Sequence, residues 1–89
     1  MSAVVRKIDG DRVDDCLLEA RAEVDGGKGE TVLDFSSVRR VDAKALRAME
    51  ELANLGDAKA IKIGLQGVNV EVYKVLKLVK LAPRFCFEG

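Results

Sequence analysis

Between positions 36 and 47 the chain reads SSVRRVDAKALR, and its chemistry-bearing side chains gather there. Ser36 and Ser37 offer hydroxyls, Arg39, Arg40, Lys44 and Arg47 offer positive charge, and Asp42 stands where a helix should begin. A carboxylate at such a boundary can accept hydrogen bonds from amides that the first helical turn leaves without partners, so Asp42 reads first as an N-cap. Cations beside a helix N-terminus welcome an anionic group such as a phosphate, a lipid headgroup or a partner's carboxylate; a solvated loop is the plainer reading of the same residues. Catalytic chemistry has little to work with. The chain has no His, no metal-ligand cluster and no paired nucleophile and base. The GGKGE run at 26–30 lacks the G-x-x-x-x-G-K-[ST] spacing of a phosphate loop. No catalytic residue, cofactor or metal is therefore expected, and the segment is expected to bind a partner.

The elements that must hold this segment are short and alternate in type. Residues 3–8 (AVVRKI) suit a strand at a sheet edge, with Arg6 and Lys7 discouraging further pairing. After Asp9-Gly10, Asp11 is a candidate N-cap, and Val13, Cys16, Leu17, Ala20 and Val24 recur at helical spacing. The glycines at 26, 27 and 29 should end that helix through a left-handed cap. Residues 31–35 are apolar except for Asp34, as expected of a strand covered on both faces. Asp34 is either an acceptor tying down the following loop or part of a polar pocket there. A second helix runs from Asp42, burying Ala45, Leu46, Met49, Leu52 and Ala53, and stops at Gly56. Residues 60–65 return to strand alternation. Asn69 then caps a third helix with Val68, Val72, Val75, Leu76 and Val79 inside and Lys74, Lys77 and Lys80 outside. Those lysines read as a solvated face, or else as a surface for an acidic partner or anionic membrane. Residues 85–87, after Pro83, form a closing strand.

The β-α-β-α-β-α-β order implies a small α/β domain over residues 1–89. Its sheet should be mostly parallel, of about four strands (mixed if the first runs against the rest), with three to four helices. Loops at the carboxyl ends of strands are where partners usually meet such a sheet, which places function at 36–47. Fifteen Lys and Arg balance fifteen Asp and Glu, so no overall field pulls the chain toward nucleic acid or an anionic bilayer. The balance conceals a polarity: residues 1–58 hold nine cations against thirteen acids and residues 59–89 six against two, leaving −4 and +4. Cys16 and Cys86 read as small core residues in a reducing compartment rather than a disulfide or metal pair. With no stretch of roughly 18 apolar residues and no signal-peptide core, the expectation is a cytoplasmic chain without membrane insertion.

Two matches in order and spacing sharpen this. VLDFSSV at 32–38 followed by VDAKAL at 41–46 resembles the STAS family, the domain of anti-sigma factor antagonists and of sulphate-transporter tails, whose pattern is an aliphatic-D-[LF]-S-x-V strand and loop, then D-S-S-G-L. IGL at 63–65, GVNVEV at 67–72 and VLKL at 75–78 read like that family's later strand, loop and helix. The resemblance covers roughly residues 30–87; residues 4–25 fit more loosely. It implies a non-catalytic protein-interaction module with Ser36, Ser37, Arg39, Arg40, Asp42, Ala43, Lys44 and Arg47 at the partner surface. In the antagonists a serine after the aspartate is phosphorylated by a kinase that is also the anti-sigma factor, and the added charge of about −1.5 to −2 ends binding. Here that position is Ala43, and Lys44 and Ala45 replace the next serine and the glycine. The usual switch has no hydroxyl to act on, leaving Ser36 and Ser37 as substitute acceptors or as ordinary loop serines. The leading expectation is an anti-sigma factor antagonist-like regulator whose partner is a kinase or anti-sigma factor. The alternative is a STAS accessory subunit on the ATPase of a phospholipid-type ABC transport system.

Overall fold

The computed structural model describes residues 4–26 and 30–88. Four strands, β1 (Val4–Lys7), β2 (Thr31–Asp34), β3 (Ile63–Gln66) and β4 (Cys86–Glu88), alternate with helices α1 (Val13–Asp25), α2 (Ala43–Lys59) and α3 (Val70–Leu78). A 3-10 turn at Ala82–Arg84, begun around Pro83, precedes β4 and is not foreseen by the periodicity. The strands lie in the order β1-β2-β3-β4, and every pair is parallel. β1 is thus an edge strand, as expected, and the sheet is not mixed.

This topology overturns one expectation. Each crossover advances the sheet by one strand in the same direction, so right-handed connections all return over the same face. That face carries Thr31, Leu33, Ile63 and Leu65, all buried. The opposite face carries Val5, Lys7, Val32, Asp34, Gln66, Cys86 and Glu88, each half-buried or exposed. β2 is therefore covered on one side only. The register explains Cys86 as well: it sits beside Gly64 on the open face of an edge strand and is exposed, whereas Cys16 packs half-buried against the core. Both thiols are free.

The core joins the inner sheet face to the apolar stripes of the helices: Leu17, Ala20 and Val24 of α1, Ala45, Met49, Leu52 and Ala53 of α2, and Val72 and Leu76 of α3. Phe35, Val38 and Phe85, just outside the strands, are buried with them. Val79 is not; α3 ends at Leu78, and Val79, its C-cap, is 47% exposed. Arg6 points to the helical face and pairs with Glu19 at 3.1 Å and with Glu23. The hydrogen bond to Glu23 raises the Arg6 guanidinium further above its ordinary range, against the pull of burial. Arg21–Glu51 at 2.8 Å and Arg84–Asp57 at 2.6 Å link elements across the surface.

Three helix boundaries differ from the sequence reading. α1 is capped by Arg12 without a side-chain bond; Asp11 is occupied differently, its N–H donating to Asp9 Oδ1 at 2.9 Å within a turn closed by Arg12 N–H to Asp9 O at 3.0 Å. Gly26 ends α1 in a right-handed conformation, and Gly27 and Gly29 lie outside the described residues. Gly56 does not stop α2. It is buried inside the helix, where a Cβ would meet Ile63 Cδ1 at 2.9 Å and Ile61 O at 3.0 Å, so glycine serves close packing against the following segment. The left-handed cap falls on Ala60, φ 55°, which moves the start of β3 to Ile63.

Candidate functional site

The 36–47 segment leaves β2 at its carboxyl end through a turn that its own backbone fixes. Phe35 N–H donates to Gln66 O at 2.8 Å and Val38 N–H to Phe35 O at 2.9 Å, which anchors both buried side chains and leaves Ser36 and Ser37 exposed between them. Asp34 Oδ1 accepts the Ser36 N–H at 2.9 Å. That backbone bond, followed by the Ser36 hydroxyl, holds the Asp34 carboxyl below the usual aspartate range against the opposing effect of burial, with the positive charge of Lys7 a lesser aid. The reading of Asp34 as the acceptor that ties down the loop is what the geometry shows. Asp34 also lines a shallow groove with Ser36, Gln66, Gly67 and Glu88, so the polar-pocket reading has a place too.

Asp42 adopts extended backbone (φ −96°, ψ −177°), and its carboxylate accepts the Ala45 N–H at 2.8 Å; its carbonyl accepts the Leu46 N–H at 2.9 Å. This is the N-cap geometry expected from the sequence, worth about 0.5 to 2 kcal/mol to α2. Asp42 is itself exposed, as are Ala43, Lys44 and Arg47 on the outward side of the first turns. Residues three and four apart are helix neighbours, so Ala43, Lys44 and Arg47 share one patch.

Neighbouring loops pack closely on this segment. Gly10, in the β1–α1 turn, lies so near the Ser37 carbonyl that a Cβ there would collide with it. Gly67, at φ 71° in the β3–α3 loop, lies where a Cβ would meet Ser36 N at 3.0 Å. Asn69 caps α3 as expected, its Oδ1 accepting the Val72 N–H at 2.7 Å. The same side chain donates from Nδ2 to Val38 O at 3.1 Å and Arg39 O at 3.0 Å. That bridge spans about thirty residues of sequence, and no local pattern announces it.

Two further open clefts border the segment. One, about 370 Å³, separates the starts of α1 and α2, with Asp11, Arg12, Asp14 and Asp15 on one wall and Arg40 and Asp42 on the other. The second, about 540 Å³, places Arg39, Arg40 and Ser37 opposite Asp9 and Asp11. From the sequence, Arg39, Arg40 and Lys44 are either a solvated loop or a seat for an anionic group; the fold adds acids at 9, 11, 14 and 15 beside the two arginines. The surface is of mixed charge and open. Ser36 and Ser37 face different grooves and do not converge. Lys74, Lys77 and Lys80 are exposed, as expected, on and just beyond α3. Among the described residues no cluster of His, Cys, Asp or Glu could hold a metal ion, and no helix is long and apolar enough to cross a membrane.

The family model for the STAS domain matches residues 3–88. The intermembrane phospholipid transport system binding proteins MlaB of Escherichia coli and Shigella flexneri are each 41% identical over 54 residues, 61% of this chain. The matched stretch spans 56% of the length of those relatives. Among solved structures, a Thermotoga maritima protein described as a candidate anti-sigma factor antagonist superposes over 100% of this chain and 75% of its own, with a TM-score of 0.70 and 16% identity. At that identity the likeness speaks to the fold.

Proposed function

The chain belongs to the STAS domain family, and from that premise we propose that it is a non-catalytic docking module whose protein partner meets the mouth of α2 and the loop before it. The contact residues in this reading are Ser36, Ser37, Arg39, Arg40, Asp42, Ala43, Lys44 and Arg47. One observation carries it: Asp42 spends its carboxylate on the Ala45 amide while Ala43, Lys44 and Arg47 stand exposed around it. That yields a rigid helix start facing solvent. Ala43, at the position of the family's phosphorylated serine, has no hydroxyl, so the family's usual phosphoryl switch has nothing to act on at that position.

For the partner we favour the ATPase subunit of a phospholipid-type transport system, the alternative expectation from the sequence. The 41% identity with MlaB over 54 residues supports it. So does Ala43, because a constitutive subunit needs no release mark. Regulation of an anti-sigma factor is the second reading, favoured by the aliphatic-D-F-S pattern at 33–36 and the cap aspartate at 42. Purifying the tagged chain from its native host and identifying co-purifying proteins by mass spectrometry separates the two. A transporter ATPase supports the first, and a kinase-like anti-sigma factor the second. Either complex should be lost in the Asp42→Arg and Ala43→Glu variants; undiminished binding would overturn the docking surface itself.

A further inference from the structure

We infer that Asn69 is the positioning residue of the docking loop: one side chain caps α3 and also fastens two consecutive carbonyls of the β2–α2 connection, so that the loop meets its partner already shaped. The functional meaning rests on the docking reading above, but the geometry stands without it. Asp and Ser would cap α3 about as well as Asn. Of these only Asn combines an acceptor for the Val72 N–H with two donors for carbonyl oxygens, and all of them are used, at 2.7, 3.1 and 3.0 Å. The three contacts also fix the orientation of the amide. Turning it over would set N–H against N–H on one side and oxygen against two oxygens on the other.

The bridge acts where the loop is otherwise least held. Ser36 and Val38 have their own N–H bonds, to Asp34 Oδ1 and Phe35 O. Beyond Val38 the chain runs through exposed Arg39 and Arg40 before Val41 packs half-buried against the core and Asp42 caps α2. Asn69 restrains that stretch from the α3 side, and the close approach of Gly10 to the Ser37 carbonyl confines it from the α1 side. Conformational freedom lost on folding is not lost again on binding, so a loop held this way associates without an ordering step.

The test uses the full chain without a partner, so its outcome is independent of whether the docking reading holds. In Asn69→Ser the cap is kept and the two amide N–H donors give way to one shorter hydroxyl; in Asn69→Asp the cap is kept and a carboxylate faces the two carbonyls. Backbone relaxation by NMR should show residues 37–40 falling from order parameters of about 0.85 toward 0.6 or below. Exchange of the Val38 amide should rise on the order of tenfold in the Ser variant, from two lost neutral hydrogen bonds, and further in the Asp variant. The Val72 and Tyr73 amides should stay as protected as in the parent, with Asp at least as good as Asn there. Capping alone demands the opposite pattern, with the loop unchanged in both variants. That result, or loss of α3 protection in step with the loop, would overturn the inference.

Discussion

Replacing Asp42 separates the mechanical and electrostatic roles of the residue at the centre of the docking surface. In Asp42→Ala the Ala45 N–H, now satisfied at 2.8 Å by Oδ1, is left to water. Loss of such a cap costs typically about 1 kcal/mol, within a range of roughly 0.5 to 2. For a domain of this size that lowers the thermal midpoint by about 4 to 8 °C. With an m-value of about 1 kcal/mol/M in urea, the denaturation midpoint falls by about 1 M while m is unchanged. Asn ranks with Asp as a cap, so Asp42→Asn should remain near the parent on both measures. Urea titrations of the three proteins followed by circular dichroism decide it. If Asn loses as much as Ala, the carboxylate acts through its charge on the helix dipole rather than as an acceptor. If Ala loses nothing, the cap is idle and the argument for a rigid helix mouth fails.

Gly56→Ala weighs two opposing effects. In an exposed helix interior alanine gains about 1 kcal/mol over glycine, but here its Cβ would press on Ile63 Cδ1 and on the Ile61 carbonyl at 2.9 and 3.0 Å. The Ile63 methyl can yield; the Ile61 backbone is tied by its N–H to Gly56 O at 2.8 Å and cannot move freely. Overpacking costs roughly 1 to 3 kcal/mol, so the net change should be a loss of up to about 2 kcal/mol. A gain of about 1 in urea titrations would refute the packing role. For Asp34, the Ser36 amide proton resonance should titrate with an acid midpoint below the ordinary aspartate range, since the Ser36 N–H bond favours the carboxylate. A depressed folded-state pKa contributes stability that is present above the unfolded value and is lost as pH falls through the folded one. The acid limb of the stability profile should therefore flatten in Asp34→Asn. A Ser36 midpoint at or above the ordinary range would count against the tie.

What could be read from the sequence was what is local. Strand and helix order, the Asp42 and Asn69 caps and the inner stripes of α1 and α2 all follow from residues within a turn or two of one another, and the structure reproduces them. The errors lie where a distant neighbour decides. Gly56 has the composition of a helix stop and becomes a packing contact because Ile61 and Ile63 return against it. Cys86 sits in an apolar run yet is exposed, because register places it on the face no helix covers. Asp11 is a local miss: the turn that Asp9 closes with the Arg12 N–H sets the helix boundary one residue later, at Arg12.

The candidate site follows the same rule, with a consequence for how it works. Its chemistry is contiguous, from Ser36 to Arg47, and could be found by eye. Its shape comes from Gly10, Gly67 and Asn69, contributed by the two neighbouring βα connections. All three connections leave the same end of a parallel sheet, so the topology places them side by side. A glycine just beyond β1 and another just beyond β3, each flanking the loop after β2, were visible as residues but acquire meaning only once the strand order is known. The surface a partner would meet is therefore not one loop but the middle of three, and a change in the first or third is felt at Ser37, Val38 and Arg39 without touching them in sequence.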